Sequence, residues 1–264
     1  MPFSSSTNCQ WLSDQIIDSL RHGSFAVLRE GPIPQHVAFV MDGNRRHART
    51  HGTKVLQGHV DGFAALKKVL EISFALEIKF VSVYAFSIDN FKRPKEEVDG
   101  LMHLCKTDLL DLCTPGGLLA QHEARLNTVG KTNLFPPEVQ AALAKAEELT
   151  KDYHRGVLNL CVAYSSRDEI ATAVEETLQA ASLEGRTKPF TERDIEDRLM
   201  TTKVNSPPPD ILIRTSGVKR LSDFLLWQCT DNTQIHFIDV FWPEIGMVDI
   251  LPIILEYQRK IWSQ

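Results

Sequence analysis

A run of aliphatic residues that halts at an acid and two arginines is suited to one kind of chemistry, the holding of a diphosphate. His36-Val-Ala-Phe-Val-Met41 halts in this way at Asp42, Gly43, Asn44, Arg45 and Arg46. A carboxylate can hold Mg2+, two guanidinium forks match phosphate oxygens, and the free N–H groups of a following helix start would face the same anion. Read alone, this turn would serve equally as a polar cap on the surface. Two further strand ends repeat the pattern. Tyr84-Ala-Phe86 runs into Ser87, Asn90 and Arg93, groups that could hold or relay a proton and bind phosphate. Ile211-Leu-Ile213 runs into Arg214-Thr-Ser-Gly217, then Arg220 and Ser222, whose hydroxyls, amides and guanidiniums could cradle a second diphosphate. Arg214 directly follows three buried-type aliphatics, where it is costly without an anionic partner. His59, beside Gly58, is a lone histidine of the kind that ordinarily serves a structural hydrogen bond.

These groups need elements to carry them. Apolar, often β-branched runs at 36–41, 79–86, 125–129, 157–163, 210–214 and 235–241 predict six strands. Between them the spacing is helical. Phe63, Leu66, Leu70 and Phe74 make one face; Val98, Leu101, Cys105, Leu109 and Leu112 make another. Pro136-Pro137-Glu138 opens a third helix, and Ser166-Arg-Asp-Glu169 reads as a capping box for a fourth through Ala171, Val174 and Leu178. The alternation predicts an α/β single domain, a mostly parallel six-stranded sheet covered by helices on both faces. Ligands collect beyond the carboxyl ends of such strands, which puts Asp42, Ser87–Arg93 and Arg214–Ser222 on one rim.

Bulk properties are those of a soluble globular enzyme: 264 residues, 43% hydrophobic, 24% charged, net charge −5. Bulk nucleic-acid binding would need a basic stripe, whereas here the positive charge is local. The five cysteines form no metal-ligand pattern and read as free thiols of a reducing compartment. No secretory signal or membrane span is visible. Residues 1–30 form an N-terminal amphipathic segment, with Trp11, Leu12, Ile16, Ile17, Leu20, Phe25, Val27 and Leu28 at helical spacing; residues 31–264 form the main domain.

Taken together, the segments resemble the cis-prenyltransferases, the undecaprenyl and dehydrodolichyl diphosphate synthases, from about Gly31 to about Tyr257. The resemblance rests on His36–Arg46, Gly58-His59, Tyr84–Pro94, Arg214-Thr-Ser-Gly217, Arg220–Gln228 and Phe241-Trp-Pro243, in that order. The wording is most similar to the eukaryotic dolichol-pathway catalytic subunit. It implies extension of farnesyl diphosphate by successive cis additions of isopentenyl diphosphate, for dolichol synthesis and protein glycosylation. By the same resemblance Asp42 holds Mg2+, and Gly43, Asn44, Arg45, Arg46 and Arg93 bind the allylic diphosphate. Arg214, Arg220 and Ser222 hold isopentenyl diphosphate, and Asn90, His59 and Ser87 position or relay the departing proton. A growing product needs an apolar tunnel, for which Phe63, Leu66, Leu70, Leu101, Cys105 and Leu109 are candidates.

Three departures from the bacterial pattern matter. Val55 stands at a usual arginine, with Lys54 beside it; Gln234 stands near a metal-associated glutamate; and the sequence ends at Arg259–Gln264 without an Arg-x-Gly tail. The resemblance therefore implies a heteromer in which a Nogo-B-receptor-like accessory subunit donates that tail. It also implies peripheral association with the endoplasmic reticulum membrane on its cytoplasmic face. A noncatalytic subunit of the same fold is disfavoured, because such chains lose the acid and arginines retained here.

Overall fold

Every position of β1 (His36–Val40) is buried, as a strand flanked by two parallel neighbours requires. The computed structural model, which describes residues 23–263, continues with β2 (Phe80–Ser87), β3 (Ala124–Val129), β4 (Gly156–Tyr164), β5 (Ile211–Arg214) and β6 (Gln234–Phe237). They form one six-stranded sheet in the order β3-β4-β2-β1-β5-β6, and every pairing is parallel. From β1 the chain first builds outward through β2, β3 and β4, then returns to add β5 on the opposite side. The order therefore reverses beside β1, and the crevice between the carboxyl ends of β1 and β5 is the place where such sheets bind ligands.

Alternation along β1 assigns its side chains to two cores. Val37 and Phe39 enter the larger one, beneath α2 (Val55–Ala75), α3 (Lys95–Cys113), α4 (Pro137–Thr150) and α6 (Met247–Trp262). Here α1 is the short helix Asn44–Thr50 and α5 is Ser166–Glu184. Ala38 and Val40 face the smaller core, with Tyr164, Leu212, Phe224, Leu225 and Cys229. Phe25 and Leu28, on a helical segment over 23–29, pack into the larger core. Trp11 to Leu20 of the amphipathic N-terminal segment lie outside the described residues.

Three sequence expectations need correction. Helix α5 does not bury Ala171, Val174 and Leu178: Leu178 is 52% exposed, while Glu169, Ala173, Thr177 and Ala181 face inward. Nor do Ser166 and Glu169 form a capping box. Ser165 is the cap residue, Ser166 Oγ accepts the Leu226 N–H, and Glu169 accepts from Tyr164 Oη and Gln228 Nε2. The buried Glu169 side chain thereby ties the start of the helix to Tyr164, Gln228 and Thr201. Strand β6 also stops at Phe237 rather than 241, because Ile238 and Val240 carbonyls accept from Gly217 and Ser216 instead of a strand partner.

On the smaller-core face a polar ladder crosses the sheet. His36 Nδ1 lies 2.7 Å from the Pro207 carbonyl and its Nε2 lies 2.7 Å from Ser82 Oγ. Asn159 donates to Ser82 and Ser206, and Asn127 donates to Asn159. The imidazole is thus neutral, with Nδ1–H donating to the carbonyl. Burial lowers its pKa to about 4, against the upward pull of the Pro207 and Pro208 carbonyls. The unfolded chain protonates this group near its ordinary value of about 6.5. Between those two pH values the unfolded state binds the extra proton, so stability falls as pH drops from about 6.5 to about 4, by roughly 3 kcal/mol from this residue. Urea denaturation across that window should show the loss in the native protein. His36→Gln, less stable at neutral pH, should lack that share of the slope; an unchanged slope would contradict the assignment.

Candidate active site

At the carboxyl end of β1 the chain turns through Asp42 and Gly43 into α1. Gly43 has φ 113°, and a Cβ there would meet Phe241 at 2.9 Å, so both backbone and space require glycine. Thr215, just past β5, locks the turn by donating Oγ1 to the Asp42 carbonyl at 2.6 Å and accepting the Asp42 N–H at 3.0 Å. Beneath this, α1 lies directly on α2. A Cβ on Gly58 would sit 2.3 Å from the Asn44 carbonyl oxygen, and one on Gly62 would sit 2.5 Å from Asn44 Oδ1. Trp242 closes the joint, donating Nε1–H to the Gly62 carbonyl at 2.7 Å.

The Asp42 carboxylate meets Arg214 across the crevice, Nη2 to Oδ2 at 2.9 Å, with Arg46 Nη2 at 3.5 Å from Oδ1. Arg214 is 3% exposed and holds the Arg220 carbonyl at 2.5 Å and Ser222 Oγ at 2.6 Å through Nη1. Burial pushes the Asp42 carboxyl up, but the Arg214 hydrogen bond and charge, with Ser216 and Arg46, outweigh this and hold it below its ordinary value. The anion demanded by Arg214 in the sequence is therefore Asp42. Arg46 donates to the Ser216 carbonyl and hydroxyl and lies over the Phe241 ring.

Beyond β2, a break in the β2–β4 register at Tyr84–Ser87 turns the strand end toward the crevice. Ser87 starts a 3-10 turn (Ile88–Lys92), and its N–H donates to Asn90 Oδ1 at 3.2 Å. One residue that sequence reasoning missed organises this wall. Glu97, on α3, takes Arg93 Nη1 at 3.0 Å and faces His59 Nε2 at 3.2 Å with the same oxygen, Oε1. Burial lowers the His59 pKa, opposed by Glu97 and reinforced by Arg93 and Arg45, so the ring is neutral at neutral pH. The Arg93-x-x-x-Glu97 spacing, one turn apart at a helix start, is the signal that could have found it.

All twelve sequence-predicted site residues line one cavity of about 910 Å3: Asp42, Gly43, Asn44, Arg45, Arg46, His59, Ser87, Asn90, Arg93, Arg214, Arg220 and Ser222. Its lining is rich in arginine, with Arg45, Arg46, Arg49, Arg93, Arg167 and Arg220. The same cavity is also lined by the apolar side chains of Phe63, Leu66, Leu101, Cys105, Leu109 and Phe135. Leu70 is the exception among the expected lining residues: it is fully buried in the larger core and does not reach the cavity. Gln234 pairs with Ile211 at the amino end of the strands, the opposite rim from Asp42. Helix α1 has seven residues, and its first turn carries Asn44, Arg45 and Arg46.

The undecaprenyl diphosphate synthase family matches residues 40–262. The chain belongs to that family of prenyltransferases. A dehydrodolichyl diphosphate synthase complex subunit of Schizosaccharomyces pombe is 42% identical over 95% of this chain and 93% of its own length. The human dehydrodolichyl diphosphate synthase complex subunit is also 42% identical, over 89% of this chain and 70% of its own. A crystal structure of lavandulyl diphosphate synthase from Lavandula x intermedia, in complex with dimethylallyl diphosphate, superposes with a TM-score of 0.79 at 33% identity. It covers 86% of this chain and 95% of that one. The chemistry of this chain is that of a cis-prenyltransferase.

Proposed function

We propose that the chain is the catalytic subunit of a dehydrodolichyl diphosphate synthase, extending farnesyl diphosphate by successive cis additions of isopentenyl diphosphate. The long-chain polyprenyl diphosphate so formed supplies dolichol synthesis and protein glycosylation. The Asp42–Arg214 pair, 2.9 Å apart on the wall of a cavity lined by both arginines and apolar side chains, carries this reading. The relatives named as dehydrodolichyl diphosphate synthase subunits favour it over a short-chain product.

Asp42 fits Mg2+ by donor chemistry: a hard carboxylate, kept ionised by its neighbours and 31% exposed toward the cavity. One or two such carboxylates plus substrate phosphate oxygens are the usual set for this ion. Bound there, Mg2+ neutralises charge on the diphosphates. The chain's own residues do the rest. Gly43, Asn44, Arg45, Arg46 and Arg93 hold the allylic diphosphate; its C1–O bond breaks and the diphosphate departs with the electron pair, stabilised by these cations. Arg220 and Ser222 hold isopentenyl diphosphate, its double bond against the allylic carbon, while Arg214 aligns Asp42 with both. The new bond joins C4 of isopentenyl diphosphate to that carbon. The proton lost from its C2 leaves toward the wall of Asn90, Ser87 and neutral His59.

The apolar part of the cavity is the tunnel for the growing chain. Cys105, on its wall, has a thiol that burial pushes up to about 12, an inert filler whose volume sets depth. Cys105→Phe is expected to shift the product distribution to fewer isoprene units by chromatography without loss of the first condensation. Unchanged product lengths would remove this wall from the tunnel.

The accessory subunit is assigned as Nogo-B-receptor-like, supplying an Arg-x-Gly segment to this site. Support comes from the relatives named as complex subunits. An apolar surface on α6 and the β6 edge also fits a protein partner, with Val248 84% and Trp262 67% exposed and Ile235, Phe237 and Leu255 also exposed. No described helix is long and apolar enough to cross a membrane. Peripheral placement on the cytoplasmic face of the endoplasmic reticulum accords with the dolichol role. Incubation with farnesyl diphosphate, labelled isopentenyl diphosphate and Mg2+, with and without the partner, tests both claims. Long cis products only with the partner are expected. Full activity alone would overturn the heteromer, and no product with the partner would overturn the function.

A further inference from the structure

On the far side of α1 from the cavity mouth, three side chains converge that the prenyl transfer does not use. His47 and His51 stand one turn apart at the C-terminal end of α1, their ring centroids 4.2 Å apart. Glu244, in the turn after Phe241-Trp242-Pro243, places Oε1 2.8 Å from His47 Nδ1. One donor atom from each of the three lies within 4.8 Å of the other two. None of the three lines the diphosphate cavity.

The other ring nitrogens separate this cluster from an ordinary surface ion pair. His51 Nδ1–H donates to the His47 carbonyl at 3.0 Å, a tautomer that leaves the Nε2 lone pair free. His47 Nε2 faces Asp61 Oδ2 at 3.6 Å, and Asp61 Oδ1 is held by Gln57 Nε2 at 2.9 Å. Metal-bound imidazoles regularly carry such an oxygen partner on the second nitrogen, which fixes ring orientation and raises ligand basicity. His51 therefore already has the outer-shell hydrogen bond of a metal ligand, and Asp61 stands near His47 Nε2 to supply the second on a small shift.

We propose that His47, His51 and Glu244 form a second divalent-cation site, for a Zn2+-class transition metal and distinct from the Mg2+ of the reaction. Two imidazole nitrogens and one carboxylate oxygen are a zinc-type donor set, whereas Mg2+ favours oxygen throughout. With bonds of about 2.0–2.1 Å, tetrahedral donors lie roughly 3.3 Å apart. The His47–Glu244 contact opens by about half an ångström to admit the ion, and His51 closes in. On binding, Nδ1 of His47 gives up its proton: the neutral ring keeps its one proton on Nε2, facing Asp61, and any second proton goes to solvent. Solvent takes the fourth position. The ion ties the last turn of α1 to the turn that carries Trp242, the residue that braces α1 on α2.

Titration of the metal-free, full-length chain with Co2+, in excess Mg2+, tests this site directly. The visible absorption of tetrahedral Co2+ is expected to saturate at one equivalent and to be displaced by Zn2+. His51→Ala and Glu244→Gln, both exposed positions, should each weaken uptake at least about tenfold, with metal-free melting temperatures unchanged. Asp61→Asn should weaken it about tenfold while keeping the band shape. An absent Co2+ band, or equal uptake by native protein and the folded His51→Ala and Glu244→Gln variants, overturns the proposal.

Discussion

Asp42→Ala is expected to lower turnover about 10^3-fold, the largest single effect in the molecule. On the proposed function the carboxylate does two things at once: it faces the diphosphates and it neutralises Arg214, which is 4% exposed in its side chain. Removing it leaves a buried guanidinium held only by the Arg220 carbonyl and Ser222 hydroxyl, at a cost of about 1–3 kcal/mol in stability. Asp42→Asn separates the two roles, since an amide oxygen can still accept from Arg214 but carries no charge. It should fold nearly as well as the native protein and still lose most turnover. Steady-state rates at saturating Mg2+, with thermal melts of both variants, decide the matter. Turnover within tenfold of native in Asp42→Ala would mean that the crevice is not where the bond breaks.

The second large effect belongs to a residue with no functional group. Gly58→Ala would place a methyl group 2.3 Å from the Asn44 carbonyl oxygen and 2.9 Å from Ala48 Cβ. The first of these is backbone and cannot rotate away, so α1 must lift from α2. Overpacking of this kind costs about 1–3 kcal/mol. Because Asn44, Arg45 and Arg46 ride on α1, a displacement of about 1 Å should cost roughly 10^2-fold in kcat/KM. Gly246→Ala, where no atom lies within 4 Å of the added carbon, is the matched control and should change neither rate nor stability. If the two alanine variants behave alike, close approach of the helices does not set the site.

Much of this architecture could be read along the chain because its central strands are buried on both faces. Such strands appear as unbroken aliphatic runs, and the residue that ends each run is conspicuous. Asp42, Arg93 and Arg214 were visible for that reason, as was the need of Arg214 for an anion. What escaped depends on partners remote in sequence. Nothing in Lys95-Glu96-Glu97 distinguishes Glu97 from its neighbour; its place rests on one oxygen shared by His59 and Arg93. The inner face of α5 was misplaced because Glu169 turns inward to Tyr164, Gln228 and Thr201, a polar choice that apolar periodicity cannot anticipate. Leu70 shares a helical face with Leu66, yet only Leu66 reaches the cavity; that distinction depends on how far each side chain lies along α2. Gly62 was passed over, although its spacing of four from Gly58 marks a helix surface stripped for close contact.

The glycine joint under α1 has a consequence for how this enzyme can change. Where main chain rests on main chain, no side chain can be traded for one slightly larger or smaller, so the seating of α1 on α2 has no graded settings. On the proposed function, adjustment of what the enzyme makes falls to the apolar side chains of the cavity lining, among them Leu101, Cys105, Leu109 and Phe135. Chemistry and product length are thereby placed on separate dials, one fixed and one free to turn.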